Sequence, residues 1–101
     1  TPGSRTSWLA FPLTIRPKAP FSRLEIVKFL EKRNIQTRPI FTGDILRQPA
    51  FKRLTVKNLE RKYPAAERIM KNSFLVGCHQ GLGGRHLAYL KNAFNEFLGQ
   101  F

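Results

Sequence analysis

The tightest constraint on this chain is the run Phe74-Leu75-Val76-Gly77-Cys78, five residues without a polar side chain. A continuous apolar stretch so short, bounded by polar residues, reads as a buried strand, because a buried helix needs ten residues or more. Around it the hydrophobic period switches repeatedly between that of a strand and that of a helix. The order is strand, helix, strand, loop with a short helix, strand, helix. This predicts a small α+β domain, a mixed or antiparallel sheet of about three strands with helices packed on one face. The 101 residues suffice for one domain, and nine Phe, two Tyr and one Trp carry too much apolar area to stay unfolded.

Trp8 to Ile15 reads as the first strand, with Leu9, Phe11, Leu13 and Ile15 on one face and Pro12 at an edge or bulge. After the stiff Arg16–Pro20 connector comes a helix with an explicit start. Ser22 stands as its N-cap, Glu25 completes a capping box, and Phe21 and Ile26 form the staple. Leu24, Ile26, Val27, Phe29 and Leu30 make a broad apolar stripe, Lys32 and Arg33 suit the negative end, and Asn34 is the C-cap candidate. Gln36 to Phe41 is the second strand, weakened by Pro39. Thr42 to Tyr63 carries no clear period, which is long for a connection and marks it as the expected working surface. Pro64 opens a helix over Ala65 to Asn72 with Ile69 and Met70 inward. Gly81, Gly83 and Gly84 form a hinge, and Leu87, Leu90, Phe94 and Phe97 mark the last helix, closed by Gly99. Residues 1–6 read as a flexible lead and 7–101 as the folded unit.

Eighteen Lys and Arg against six acids leave a formal charge of +12, which suits a polyanionic partner: nucleic acid, a nucleotide diphosphate or an acidic neighbouring domain. The densest window, Lys52 to Lys62, has no alternating aromatics, so a stacking platform for single-stranded nucleic acid is not expected. No apolar run approaches the ~20 residues of a membrane helix. Thr1–Thr6 has no apolar core of a secretory signal, which fits a cytoplasmic protein without a membrane partner.

Catalytic groupings are missing from the pattern. Cys78 and His79 are neighbours on an extended segment, so their side chains diverge and cannot pair as nucleophile and base. Cys78 reads as a small buried hydrophobe, and His79 as a satisfied structural histidine, with a ligand or general acid as the alternative. His86 reads as a surface residue. The six acids suggest no carboxylate dyad, and the glycines near Gly81 match no phosphate-binding loop. A single cysteine allows neither an internal disulfide nor an all-cysteine zinc site.

Four segments together carry a resemblance: Ser7-Trp8-Leu9-Ala10-Phe11-Pro12, the capped helix Arg23 to Asn34, Ile35-Gln36-Thr37-Arg38-Pro39-Ile40-Phe41-Thr42-Gly43-Asp44-Ile45-Leu46-Arg47-Gln48-Pro49-Ala50-Phe51, and Ala66–Met70 leading to Phe74–Leu82. From Ser7 to Phe101 the chain resembles the C-terminal small domain of the pyridoxal-phosphate-dependent sugar-nucleotide aminotransferases (the DegT–StrS group), most specifically over Thr37–Phe51. Within that group it looks most like the 4-keto-6-deoxyhexose 3-dehydratases of lipopolysaccharide sugar synthesis. The resemblance implies an aspartate-aminotransferase fold in which a large domain holds PLP or PMP and the small domain closes over it. It also implies that the cofactor residue (lysine in transaminases, histidine in the dehydratases) and any iron–sulfur cluster lie in that large domain. On this reading the 101 residues are part of a longer enzyme, inactive alone, with the large domain, a nucleotide-diphosphate sugar and a second subunit as partners.

Candidate site residues follow, Arg68 from the resemblance and the others from their place in the chain. Arg68 is the first candidate for a substrate contact and Arg38 the second, aimed by Pro39; either guanidinium can pair with a phosphate or sugar oxygen. Phe41 and the Gly43-Asp44 turn are placed at the sugar-nucleotide entrance, with His79 and Gln80 reaching the same cleft. Transaminases of the group often carry histidine directly after the tryptophan-like position, where this chain has Leu9. An apolar wall there fits dehydration, although Leu9 packing in the core explains it equally well. A sugar-nucleotide aminotransferase and a free-standing basic module that binds nucleic acid remain the alternatives.

Overall fold

The structure is a computed structural model that describes residues 2–3, 5–41, 43–51 and 63–101. Its elements are β1 (Phe11–Thr14), α1 (Arg23–Lys32), β2 (Thr37–Pro39), α2 (Pro64–Asn72), β3 (Ser73–Val76) and α3 (Gly84–Leu98), with 3-10 turns at Ile45–Arg47 and Pro49–Phe51. The expected α+β architecture is present. β3 lies at the centre of a three-stranded sheet, and β1 and β2 flank it, both antiparallel to it. Phe11 and Thr37 stand opposite Val76, Pro12 and Arg38 opposite Leu75, and Leu13 and Pro39 opposite Phe74. Both prolines therefore fall on edge strands, where a missing N–H is tolerated.

Alternation along β3 sends Phe74 and Val76 to one face, where they are buried with Ile26 and Leu30 of α1 and Ala93 and Phe97 of α3. Phe97 anchors an aromatic cluster, its ring centroid 4.9 Å from Phe21, 5.1 Å from Phe29 and 5.3 Å from Phe101. On the other face the fully buried Ser73 is satisfied by the Thr14 hydroxyl at 2.8 Å. Arg23 fastens the start of α1 to the α2–β3 junction, donating from Nη1 to the Met70 carbonyl at 2.7 Å.

The start of α1 is as the sequence predicts: the Ser22 N–H donates to Glu25 Oε2 at 2.7 Å, and the Glu25 N–H donates to Ser22 Oγ at 3.3 Å. Its end lies one residue earlier than expected. Arg33 is the C-cap, and Asn34 follows in the left-handed region at φ 58°. The Ile35 N–H reaches the Leu30 carbonyl and the Asn34 N–H the Glu31 carbonyl, the paired bonds of a Schellman motif.

Other expectations need correction, and the sheet's length is the main reason. β3 spans Ser73–Val76 rather than Phe74–Cys78, so β1 can begin only at Phe11, the partner of Val76, and not at Trp8. Leu9 then has no strand beside it and is 85% exposed, which removes the core-packing explanation for it. β2 stops at Pro39 instead of Phe41. Leu24, Ile69 and Leu87, all read as inward, are exposed. The sheet face they would share is already filled by Ile26, Leu30, Ala93 and Phe97, and α2 buries no residue. Cys78 is only half-buried, its Sγ 3.7 Å from the Trp8 carbonyl oxygen. Part of the long loop, including the basic window Lys52 to Lys62, lies outside the described residues.

Candidate functional site

Beyond the end of β3 the chain does not close on itself. A cleft of about 1270 Å³ opens between β2, the segment before β1, the β3–α3 turn and the first half of α3. Four of the five predicted site residues meet here: Leu9, Arg38, Phe41 and His79 all line it. Arg68 does not; it is exposed on α2, away from this wall. Gln80, Gly43 and Asp44 also lie outside the lining. Asp44 instead caps the first 3-10 turn, its Oδ1 accepting the Leu46 N–H at 3.1 Å. Gly43, at φ 68°, packs so closely on Met70 that a Cβ would come within 2.3 Å of that side chain.

The positions of Arg38 and Phe41 have local causes. Glu31 Oε1 accepts both the Thr37 N–H at 2.6 Å and the Thr37 hydroxyl at 2.7 Å, which fixes the first residue of β2 and so the strand that carries Arg38. These bonds from Thr37, with the Arg38 charge as a smaller contribution, hold the Glu31 carboxyl below its ordinary range. Phe41 sits in a turn closed by the Gly43 N–H on the Ile40 carbonyl, with its own φ at 45°. A left-handed conformation is uncommon for so bulky a residue, and such outliers concentrate at functional sites. It leaves the ring 78% exposed at the cleft.

Sequence reasoning missed the opposite wall. Arg85, His86, Leu87 and Tyr89, from the first half of α3, and Leu82 from the turn complete the lining. His86 Nδ1 accepts the Gly83 N–H at 3.1 Å, and the Tyr89 hydroxyl donates to the Arg33 carbonyl at 3.0 Å, bridging α3 to the end of α1. The available signal was charge. An arginine in the first turn of a helix that has no acid there opposes its dipole, which favours acids at that end. The cleft carries two guanidiniums, two imidazoles, exposed rings and apolar walls, and among the described residues no carboxylate lines it. Chemically it suits an anion attached to a flat or apolar body. Among the described residues there is no cluster of His, Cys, Asp or Glu able to hold a metal ion, and no helix long and apolar enough to cross a membrane.

Comparison with known proteins follows the same direction. Residues 1–95 match the DegT/DnrJ/EryC1/StrS aminotransferase family. The chain is 36% identical over 99 residues to the lipopolysaccharide biosynthesis protein RfbH of Salmonella typhimurium, a match covering 98% of this chain and 22% of that protein. It is 34% identical over 100 residues to the dTDP-4-dehydro-2,6-dideoxy-D-glucose 3-dehydratase of Saccharopolyspora spinosa, covering 99% of this chain and 21% of the relative. Solved structures of GDP-4-keto-6-deoxymannose-3-dehydratase superpose on 85% of this chain and 22% of theirs at 30% identity. The TM-score is 0.73 for a mutant with bound GDP-perosamine and 0.72 for the enzyme with a trapped PLP-glutamate geminal diamine. The chain thus spans about a fifth of the length of the curated relatives it matches.

Proposed function

The chain belongs to the DegT/DnrJ/EryC1/StrS aminotransferase family, and on that premise we propose that residues 7–101 are the C-terminal small domain of a B6-dependent NDP-4-keto-6-deoxyhexose 3-dehydratase that makes deoxysugars for lipopolysaccharide. The observation that carries this reading is the basic cleft between β2 and α3, without a carboxylate among the described residues, in a chain 34% identical to a 3-dehydratase and superposable on another. Arg38 would pair with the diphosphate of the sugar nucleotide, and Phe41 would offer a ring face to its flat or apolar portion. His79 is a donor beside them, through the Nε2 that its backbone bond leaves free. Arg68 would reach the substrate only from a surface outside this cleft.

The residues of the cleft do not fit PLP as its holder. Among the described residues the cleft offers neither a lysine for a Schiff base nor a carboxylate for the cofactor's ring nitrogen. We assign the cofactor to the rest of a longer protein, and with it any iron–sulfur cluster, since one cysteine cannot supply the four thiolates such clusters take. What this chain contributes is closure: apolar Leu9, Leu82 and Leu87 exclude water, and the guanidiniums orient the anion. Leu9 also leaves its part of the wall without a proton donor. The proton that the departing C3 hydroxyl takes up would then come from another group, in the rest of the longer protein. The corresponding partners are the large domain, a nucleotide-diphosphate sugar and a second subunit, in the cytoplasm.

A chimera tests the assignment. This chain replaces the matching fifth of the GDP-4-keto-6-deoxymannose 3-dehydratase, and the product from its 4-keto sugar nucleotide is identified. Loss of the C3 hydroxyl is expected. The residue at the cofactor position of the chimera is the dehydratase's own, so the aminotransferase reading, which the family's description also accommodates, is tested by that residue in the longer protein: histidine is expected, and lysine would support amino transfer. A folded chimera that does not remove the C3 hydroxyl contradicts the proposal.

A further inference from the structure

Two hydrogen bonds frame the turn between β3 and α3, and both end on an imidazole. The Gly81 N–H donates to His79 Nδ1 at 3.1 Å, and the Gly83 N–H donates to His86 Nδ1, also at 3.1 Å. The His79 ring lies so close to Gly81 that a Cβ there would stand 3.0 Å from both Cε1 and Nδ1. A third bond, from the Leu82 N–H to the His79 carbonyl at 3.1 Å, closes the same turn. Both rings and Leu82 belong to the cleft wall, and Arg85 follows directly on α3.

We infer that His79 and His86 form a paired latch, positioning residues that hold the β3–α3 turn in place while neutral and release it when protonated. A ring nitrogen accepts a hydrogen bond only while it carries no proton; in the imidazolium both nitrogens are donors, and Nδ1–H would then face the glycine N–H. The charged groups that share the wall are Arg85 on the same helix and Arg38 from β2 across the cleft. The Tyr89 hydroxyl is engaged by the Arg33 carbonyl, and among the described residues no carboxylate lines the wall. Acidification therefore loosens the segment that presents Leu82 and Arg85. The inference rests on the proposed function only for its consequence on a sugar nucleotide, since the latch itself is a property of these 101 residues.

Amide exchange by NMR on the isotope-labelled chain separates the two. Relative to intrinsic exchange rates, protection of Gly81 and Gly83 should fall about five- to tenfold between pH 8 and pH 5, the size of one modest hydrogen bond each. His79→Ala should cost Gly81 that factor already at pH 8, and His86→Ala should do the same at Gly83. His79→Asn and His86→Asn, whose side-chain oxygen accepts the same bond without titrating, should keep protection at pH 5. Protection at both glycines that ignores pH, or alanine variants protected as well as the wild type, would overturn the latch while leaving the chimera result untouched.

Discussion

The two halves of α3 are built from the same kinds of residue and do opposite things. Its second half inserts Ala93 and Phe97 between α1 and β3, and Phe97 touches the rings of Phe21, Phe29 and Phe101. Its first half carries Leu87 and Tyr89, equally apolar, yet both are more than half exposed and face a cleft. The helix continues past the end of the sheet: β3 stops at Val76, so the first turns of α3 have no strand beneath them. A helix face is buried only where another element stands opposite it. The exposed half is thus the part of this fold that remains available for a ligand or another domain.

Substitutions on either side of that division test it. Phe97→Ala should have the largest effect, a loss of about 3–5 kcal/mol in urea unfolding, because the cavity lies at the junction of both helices and the aromatic cluster. Arg38→Ala, made in the chimera, should weaken sugar-nucleotide binding about tenfold or more while leaving the unfolding midpoint within error, as expected for a lost charge-assisted contact on an exposed strand. Unchanged binding there would remove Arg38 from the site.

A smaller effect is set by acid. Glu25 and Glu31 both have carboxyl pKa values lowered in the folded chain, by the Ser22 and Thr37 bonds respectively. A folded value below the unfolded one (about 4.3 for Glu) means their contribution is complete above that pH and is lost as pH falls through the folded values. Unfolding measured from pH 6 downward should show stability dropping in that window, and Glu31→Gln should flatten the drop while loosening the start of β2. The smallest effect belongs to Leu87→Ala, expected within about 0.5 kcal/mol of wild type despite its helical spacing with Leu90 and Phe94. A cost near that of Phe97→Ala would show that both halves of α3 are packed alike.

Legibility in the sequence follows the range over which each signal acts. The α1 start was readable because Ser22, Glu25, Phe21 and Ile26 interact within five residues of one another. The order of elements and the family resemblance survived for a similar reason, resting on contiguous patterns. Leu9 and Leu87 were misplaced because periodicity assigns a face without saying whether anything covers it; that depends on where β3 ends. The Glu31–Thr37 clasp joins a helix end to a strand start, and its one local trace was an acid in the last turns of a helix, where the dipole disfavours it. Arg38, Phe41, Leu9 and His79 converge although they come from three separate segments, which no spacing rule could have shown. The grouping with Arg68 came from resemblance alone, and the fold keeps that residue apart from them.

The most direct measurement is hydrogen–deuterium exchange on the chimera, with and without the sugar nucleotide. Protection gained along β2, the β3–α3 turn and residues 84–90, with 91–98 unchanged, is the predicted outcome. Protection gained equally along all of α3, or confined to its Phe97 half, would contradict the claim that the uncovered wall is where this domain meets its ligand.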